Sequence, residues 1–163
     1  MKLKQKYKDI NDTLRHMKIQ IQESIPFADN VVPNFSTPEE LFYWMKKKVR
    51  YKKDPSDTEL LQTMPTMFLG KYWGIPGAGD CDCFVISTLA SMISLGWDDL
   101  FIALVGREKK APVHIYTVIY WKGKRKVFDL TNRDFNYERD NYNYIQELPV
   151  PWRNWKKIQF NNN

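Results

Sequence analysis

The stretch that most restricts the fold is residues 81–97, CDCFVISTLASMISLGW, an apolar run with Asp82 as its single charged residue. Phe84, Val85, Thr88, Leu89, Met92 and Ile93 recur at helical spacing and Gly96 supplies a C-terminal stop, so the segment reads as a largely buried helix. Downstream the period changes. LFIALVG, VHIYTVIYW and RKVFDLT are short and rich in β-branched and aromatic residues, and the last two flank KGK. They read as strands, the final pair forming a hairpin. A buried helix followed by such strands predicts an α+β domain in which the helix packs on a small antiparallel sheet.

Upstream, Leu3, Tyr7, Ile10, Leu14, Met17 and Ile21 recur at spacings of three and four, the stripe of an amphipathic helix that packs on the domain core or on a partner. PFADNVVPNF then reads as a loop. STPEELFYWMKKKVRY opens with Ser36 or Thr37 as a cap, Pro38 in the first turn and Glu39 and Glu40 near the positive helix end. A second helix is expected from about Pro38 to Val49, burying Leu41, Phe42 and Met45. Residues 52–73 read as a polar turn, a short helical piece and an aromatic loop. The tail ELPVPWRNWKKIQFNNN is proline-broken; Trp152 and Trp155 are expected to dock on the core and the last residues to fray.

A chain of 163 residues with 43% hydrophobic and 15% aromatic content suffices for one compact domain, and residues 1–163 are read as one. No secretory signal or membrane-length apolar stretch is found, so membrane partners are not expected. The net charge of +6 allows an anionic partner. A lysine-rich solvated surface is the preferred reading, because no basic run is interleaved with aromatics on a predicted sheet, and nucleic acid is disfavoured.

Two cysteines, Cys81 and Cys83, lie one residue apart. A bridge between them would close a strained small ring, which excludes a disulfide scaffold and favours a reducing compartment or a single working thiol. Cys81 follows Gly77, Gly79 and Asp80 at a helix start, where unpaired N–H groups and the macrodipole favour a thiolate and offer oxyanion donors. Cys83 lies about 200° further around the helix and faces away. A nucleophile wants a base, and of the two histidines His16 falls on the polar side of the first helix, leaving His114. A two-residue hairpin loop at Lys122 and Gly123 would pair Trp121 with Lys124 and set Asp129 opposite Tyr116. Asp129 then becomes the diagonal neighbour of His114, roughly 7 to 8 Å away. A four-residue loop would place it opposite Val118, out of reach. Cys81, Cys83 and His114 are metal-ligand types, but a Cys-x-Cys on a helix diverges and no second pair exists, so no metal or other cofactor is expected. The alternative for each residue is structural: a small buried thiol, a core histidine, an aspartate capping the turn after its strand.

GDCDCFVISTLASMISLGW, HIYTVIYWKGKRKVFDLT and the upstream LFYWMKKKVRYKKDP together resemble the transglutaminase-like branch of the papain-like cysteine enzymes, in its compact bacterial and phage form. The resemblance spans roughly residues 36–132, with 1–35 as an N-terminal helix and loop and 133–163 as a docking tail. It implies Cys81 as nucleophile, His114 as base and acid, and Asp129 as the residue orienting the imidazole. The family usually carries an acid where this chain has Cys83 and proline where it has Leu130. The backbone N–H of Cys81 and an indole N–H from Trp44 or Trp73 are the oxyanion candidates. The implied activity is acyl transfer on a peptide or isopeptide amide, as a hydrolase. Two alternatives are a cross-linking transglutaminase, in which a lysine amine accepts the acyl group, and a non-catalytic virion-associated protein that retains the fold. The implied partners are a protein or peptide substrate and a virion or other protein docked on the N-terminal helix, with a cytoplasmic or virion-associated location.

Overall fold

The computed structural model describes residues 3–5, 9–56, 58–108 and 112–156, with the backbone alone for 3–5. It is a mixed α+β structure whose largest sheet is small and antiparallel. Strand β1 (Leu3–Gln5) pairs antiparallel with β3 (Glu59–Leu61). Helix α1 (Ile10–Val31) begins at Asp9, whose carboxylate accepts from the Asp12 N–H at 2.9 Å. The expected stripe therefore starts at Ile10 rather than Leu3, where the chain is a strand; Tyr7 lies outside the described residues.

Helix α1 also continues through Pro26 to Val31, where a loop was expected. Tertiary contacts outweigh the proline: Ala28 is fully buried, and the Phe27 ring packs edge-on against Phe68 at 6.1 Å. Met17 and Ile21 face the core, so this stripe is used inside the molecule. Buried Ser24 donates to the Gln20 carbonyl and accepts from the Met64 N–H at 2.9 Å, tying α1 to helix α3 (Met64–Phe68).

Helix α2 (Pro38–Lys46) is capped by Thr37, and Glu40 reaches back to the Ser36 N–H at 3.0 Å. Leu41, Phe42 and Met45 are buried as expected, but the helix ends at Lys46 instead of Val49. The chain turns there so that β2 (Arg50–Tyr51) can pair in parallel with β4 (Ala78–Gly79). Gly77 has φ +82°, and a Cβ there would lie 1.7 Å from the Lys48 carbonyl oxygen, so only glycine permits this approach.

Helix α4 (Cys81–Ser94) is buried at every residue from Asp82 to Ile93. It packs on α1 and on strand β6 (Pro112–Trp121). Strands β5 (Leu100–Gly106), β7 (Lys124–Phe128) and β8 (Tyr144–Pro149) join β6 in a four-stranded sheet, order β7-β6-β5-β8. The hairpin is the one anticipated: Trp121 pairs with Lys124, and Lys122 and Gly123 take φ +50° and +77°. The register Thr117↔Phe128, continued one step, sets Asp129 opposite Tyr116.

Strand β8 lies in the tail and was not expected. It pairs antiparallel with the free edge of β5, while Trp152 donates its indole N–H to the Trp97 carbonyl at 2.9 Å and Trp155 packs partly buried on the core. No helix is long and apolar enough to cross a membrane among the described residues.

Two glycines with positive φ differ in what surrounds them. Gly123→Ala is expected to cost about 1 kcal/mol, since no heavy atom lies within 4 Å of the added Cβ. Gly77→Ala is expected to cost more than about 4 kcal/mol or to abolish folding, because the clash is with backbone. Urea unfolding midpoints measure both.

Candidate active site

Helix α4 brings Cys81 to the end of the sheet, and β6 brings His114 to the same place. The two line one cleft of ≈ 610 Å³ together with Asp9, Glu59, Asp82 and Ile115. Cys81 is half-buried, and Cys83 is fully buried on the other side of the helix. There its thiol donates to the Leu60 carbonyl at 3.2 Å and lies 3.8 Å from the Gln62 amide nitrogen. Cys81, Cys83 and His114 are thus not gathered as a ligand set, and no group of three such residues suited to a metal ion occurs among the described residues.

His114 Nε2 lies 2.7 Å from Asp129 Oδ2. Asp129 is enclosed by donors: its Oδ1 accepts from the Thr131 N–H at 3.0 Å and the Thr131 hydroxyl at 2.7 Å, and Oδ2 also accepts from the Asn132 amide at 3.3 Å. Asn132 is fixed in turn, donating to the Tyr137 carbonyl at 3.0 Å and accepting from Arg139 Nε at 3.1 Å. Burial alone would raise the Asp129 pKa, but the His114 ring and the Thr131 donors more than reverse it and hold the carboxyl below its ordinary range. The stability this carboxylate contributes is present above the usual aspartate pKa and is lost as pH falls through its folded value. With Nε2 engaged, Nδ1 is the ring nitrogen left for the cleft.

The Ile115 backbone acts to lower the Cys81 thiol pKa. The Tyr120 N–H points to Asp99 on the β5 side, so alternation turns the Ile115 N–H to the β7 side. Strand β7 has left the sheet there, its last pair being Phe128 with Thr117, so this N–H has no strand partner in β7. No contact within hydrogen-bond range joins the sulfur to the imidazole.

The thiolate expected at this helix start is disfavoured by its surroundings. Burial, then Asp82 and Asp80, push the Cys81 thiol up, and the hydrogen bonds from the Ile115 and Asp82 backbone oppose this only in part. Cys83 is raised as well, chiefly by burial. The first turn of α4 is surrounded by carboxyls that sequence inspection did not single out. Asp54 is pushed up to about 8 by burial and by Asp80, with which it is hydrogen-bonded. Asp82 is raised by burial and by its hydrogen bond to Glu59. Asp80 is raised as well, chiefly by burial. The motif GDCDC announces Asp80 and Asp82, but their partners come from 22 or more residues upstream and have no local signal.

Neither oxyanion tryptophan lines the cleft. Trp44 lies beside Phe35 and Phe68 in a separate groove, and Trp73 packs edge-on against Tyr72 beneath the Lys52 ammonium. Both sit on aromatic packing that the sequence could not locate. Thr131, Asn132 and Arg139 escaped notice, although Asp-x-Thr after a strand is a turn signal: Asp129 caps that turn and binds His114 at once. Compared with protein-family models, with curated proteins and with solved structures, the chain matches none.

Because folded Asp54 keeps a proton that the unfolded chain releases above its ordinary pKa of 3.8, folded stability should fall as pH rises from about 4 to about 8. Asp54→Asn keeps a donor toward Asp80 without the titration. Its urea midpoint is expected to match the wild type near pH 4 and to exceed it at pH 8.

Proposed function

We propose that the chain is a cysteine-dependent acyl-transfer enzyme with a transglutaminase-like, papain-like core, acting as a hydrolase on a peptide or isopeptide amide. The observation that carries this reading is the His114–Asp129 pair, 2.7 Å apart and opening onto the cleft that Cys81 lines. Asp129, ionised and held by four donors, fixes the imidazole with Nε2–H toward itself and a basic Nδ1 toward the thiol.

The reaction starts from the thiol, because burial and the flanking carboxyls favour the proton on sulfur. His114 takes that proton as sulfur attacks the carbonyl carbon. The oxyanion is received by the Cys81 backbone N–H at the positive end of α4. The proton then passes from His114 to the leaving amine, the C–N bond breaks and a thioester remains. Water, deprotonated by His114, attacks the thioester; the acid is released and the thiol regains its proton. A lysine amine in place of water would give the cross-linking alternative.

The test uses alkylation and turnover together. Iodoacetamide is expected to modify Cys81 and spare buried Cys83, at a rate that falls about 10²-fold or more in His114→Ala. With a glutamine-containing protein and a labelled primary amine, cleavage products absent in Cys81→Ala support hydrolysis, and amine incorporation absent in Cys81→Ala supports cross-linking. Equal alkylation of wild type and His114→Ala, with neither product formed, would leave a fold-retaining structural protein.

A further inference from the structure

The basic run MKKKVRYKK, residues 45–53, is not used by the cleft. Three of its lysines are engaged: Lys46 donates to the Leu130 carbonyl at 3.0 Å, and the Lys48 and Lys52 ammonium groups sit over the Trp44 and Trp73 rings. Lys47, Lys48 and Arg50 are exposed and have no carboxylate partner among the described residues, whereas Arg125 and Arg153 are both ion-paired. These three cations line a second concavity of ≈ 390 Å³ whose walls include Phe27, Trp44, Phe68 and Leu69. The groove carries apolar surface into solvent: Leu69 is 57% exposed, Val31 on its wall 37%, and Ile75, next to its Pro76, 46%. Contiguous exposed apolar surface edged by unpaired charge of one sign is the composition of a recognition site.

We propose that this groove docks an acidic peptide segment bearing bulky apolar side chains, supplied by a protein partner. The apolar side chains enter between Phe27, Phe68 and Leu69, and the flanking carboxylates meet Lys47, Lys48 and Arg50. Nucleic acid fits less well. The Lys48 ammonium lies over the Trp44 ring, 4.8 Å from its centroid, and Phe35 and Phe68 pack beside it, so the ring is already engaged where a base would stack. A lipid surface prefers a projecting apolar face to a concave one. Pro76 of the groove precedes Cys81 of the cleft by five residues, at most about 17 Å of extended chain. The proposal does not depend on catalysis.

The test is fluorescence anisotropy with the full chain as Cys81→Ala, titrated against a labelled peptide of alternating Asp/Glu and Leu/Phe. Controls are the same peptide with lysines for the acids and a single-stranded oligonucleotide. Saturable binding of the acidic peptide is expected. It should weaken at least about tenfold in Leu69→Asp and in Lys47→Glu/Lys48→Glu, and it should fall as salt rises. All three side chains are exposed, so urea midpoints should not move; if Leu69→Asp does destabilise the fold, the double lysine variant decides. No saturable binding, equal binding of the lysine peptide, or affinity unchanged in the variants overturns the proposal. Oligonucleotide binding that Leu69→Asp leaves intact reassigns the surface to nucleic acid.

Discussion

Burial of helix α4 on all sides is the constraint from which the remaining structure follows. A helix with no polar face needs cover around its whole circumference, and each fully buried Val, Leu, Ile, Phe or Met contributes about 1.5–3 kcal/mol. Helix α1 covers one side and the sheet another, through β6. The N-terminus of α4 is held by β4, which is itself clasped against β2 through Gly77 and Gly79. Once the helix is seated this way, its first residue reaches the end of β6, and a thiol and an imidazole from residues 33 positions apart line one cleft.

Carboxyls in two environments set the electrostatics of that cleft. Asp129 is buried yet ionised, because a ring nitrogen, an amide, a hydroxyl and a backbone N–H all donate to it. Asp80 and Asp82 are buried with half-buried Asp54 beside them, and their pKa values rise because desolvation dominates. The difference lies in the partners. Asp129 faces four donors; Asp54 and Asp80 each accept one backbone N–H and otherwise face further carboxyls. Burial first, and then the nearby Asp82 and Asp80, raise the Cys81 thiol against the helix dipole that alone would lower it.

The outer face of the sheet is closed by a polar network that steadies the loop after β7. Arg125 bridges Glu138 and Glu147, and the hydroxyls of Tyr116 and Tyr120 donate to the same two carboxylates. Tyr142, from the connection to β8, stacks near the His114 ring at 6.3 Å. Strand β8 thus does more than complete an edge: it draws residues 129–143 back over the His–Asp pair. On the opposite side of the β2 segment, the cationic groove shares no lining residue with the cleft.

Local signals in the sequence were enough for α2, α4 and the β6–β7 hairpin, because caps, helical spacing and a Lys-Gly turn act over a few residues. The hairpin count also placed Asp129 beside His114, since strand alternation carries a register from the turn to the far end. Where long-range contacts outvoted local preference, the sequence alone misled. Pro26 argued for a loop, but buried Ala28 and the Phe27–Phe68 contact keep α1 helical; Leu3 matched a helical stripe, but its backbone pairs with Leu61. Strand β8 had no clear alternation because only the edge of β5 requires it. The residue types and order of Cys81, His114 and Asp129 were determined by the sequence. The cleft that Cys81 and His114 share, the His114–Asp129 contact, the burial and carboxyls that push the thiol up, and the placing of Trp44 and Trp73 outside the cleft were decided only by the tertiary structure, since burial and distant charge have no expression in local spacing.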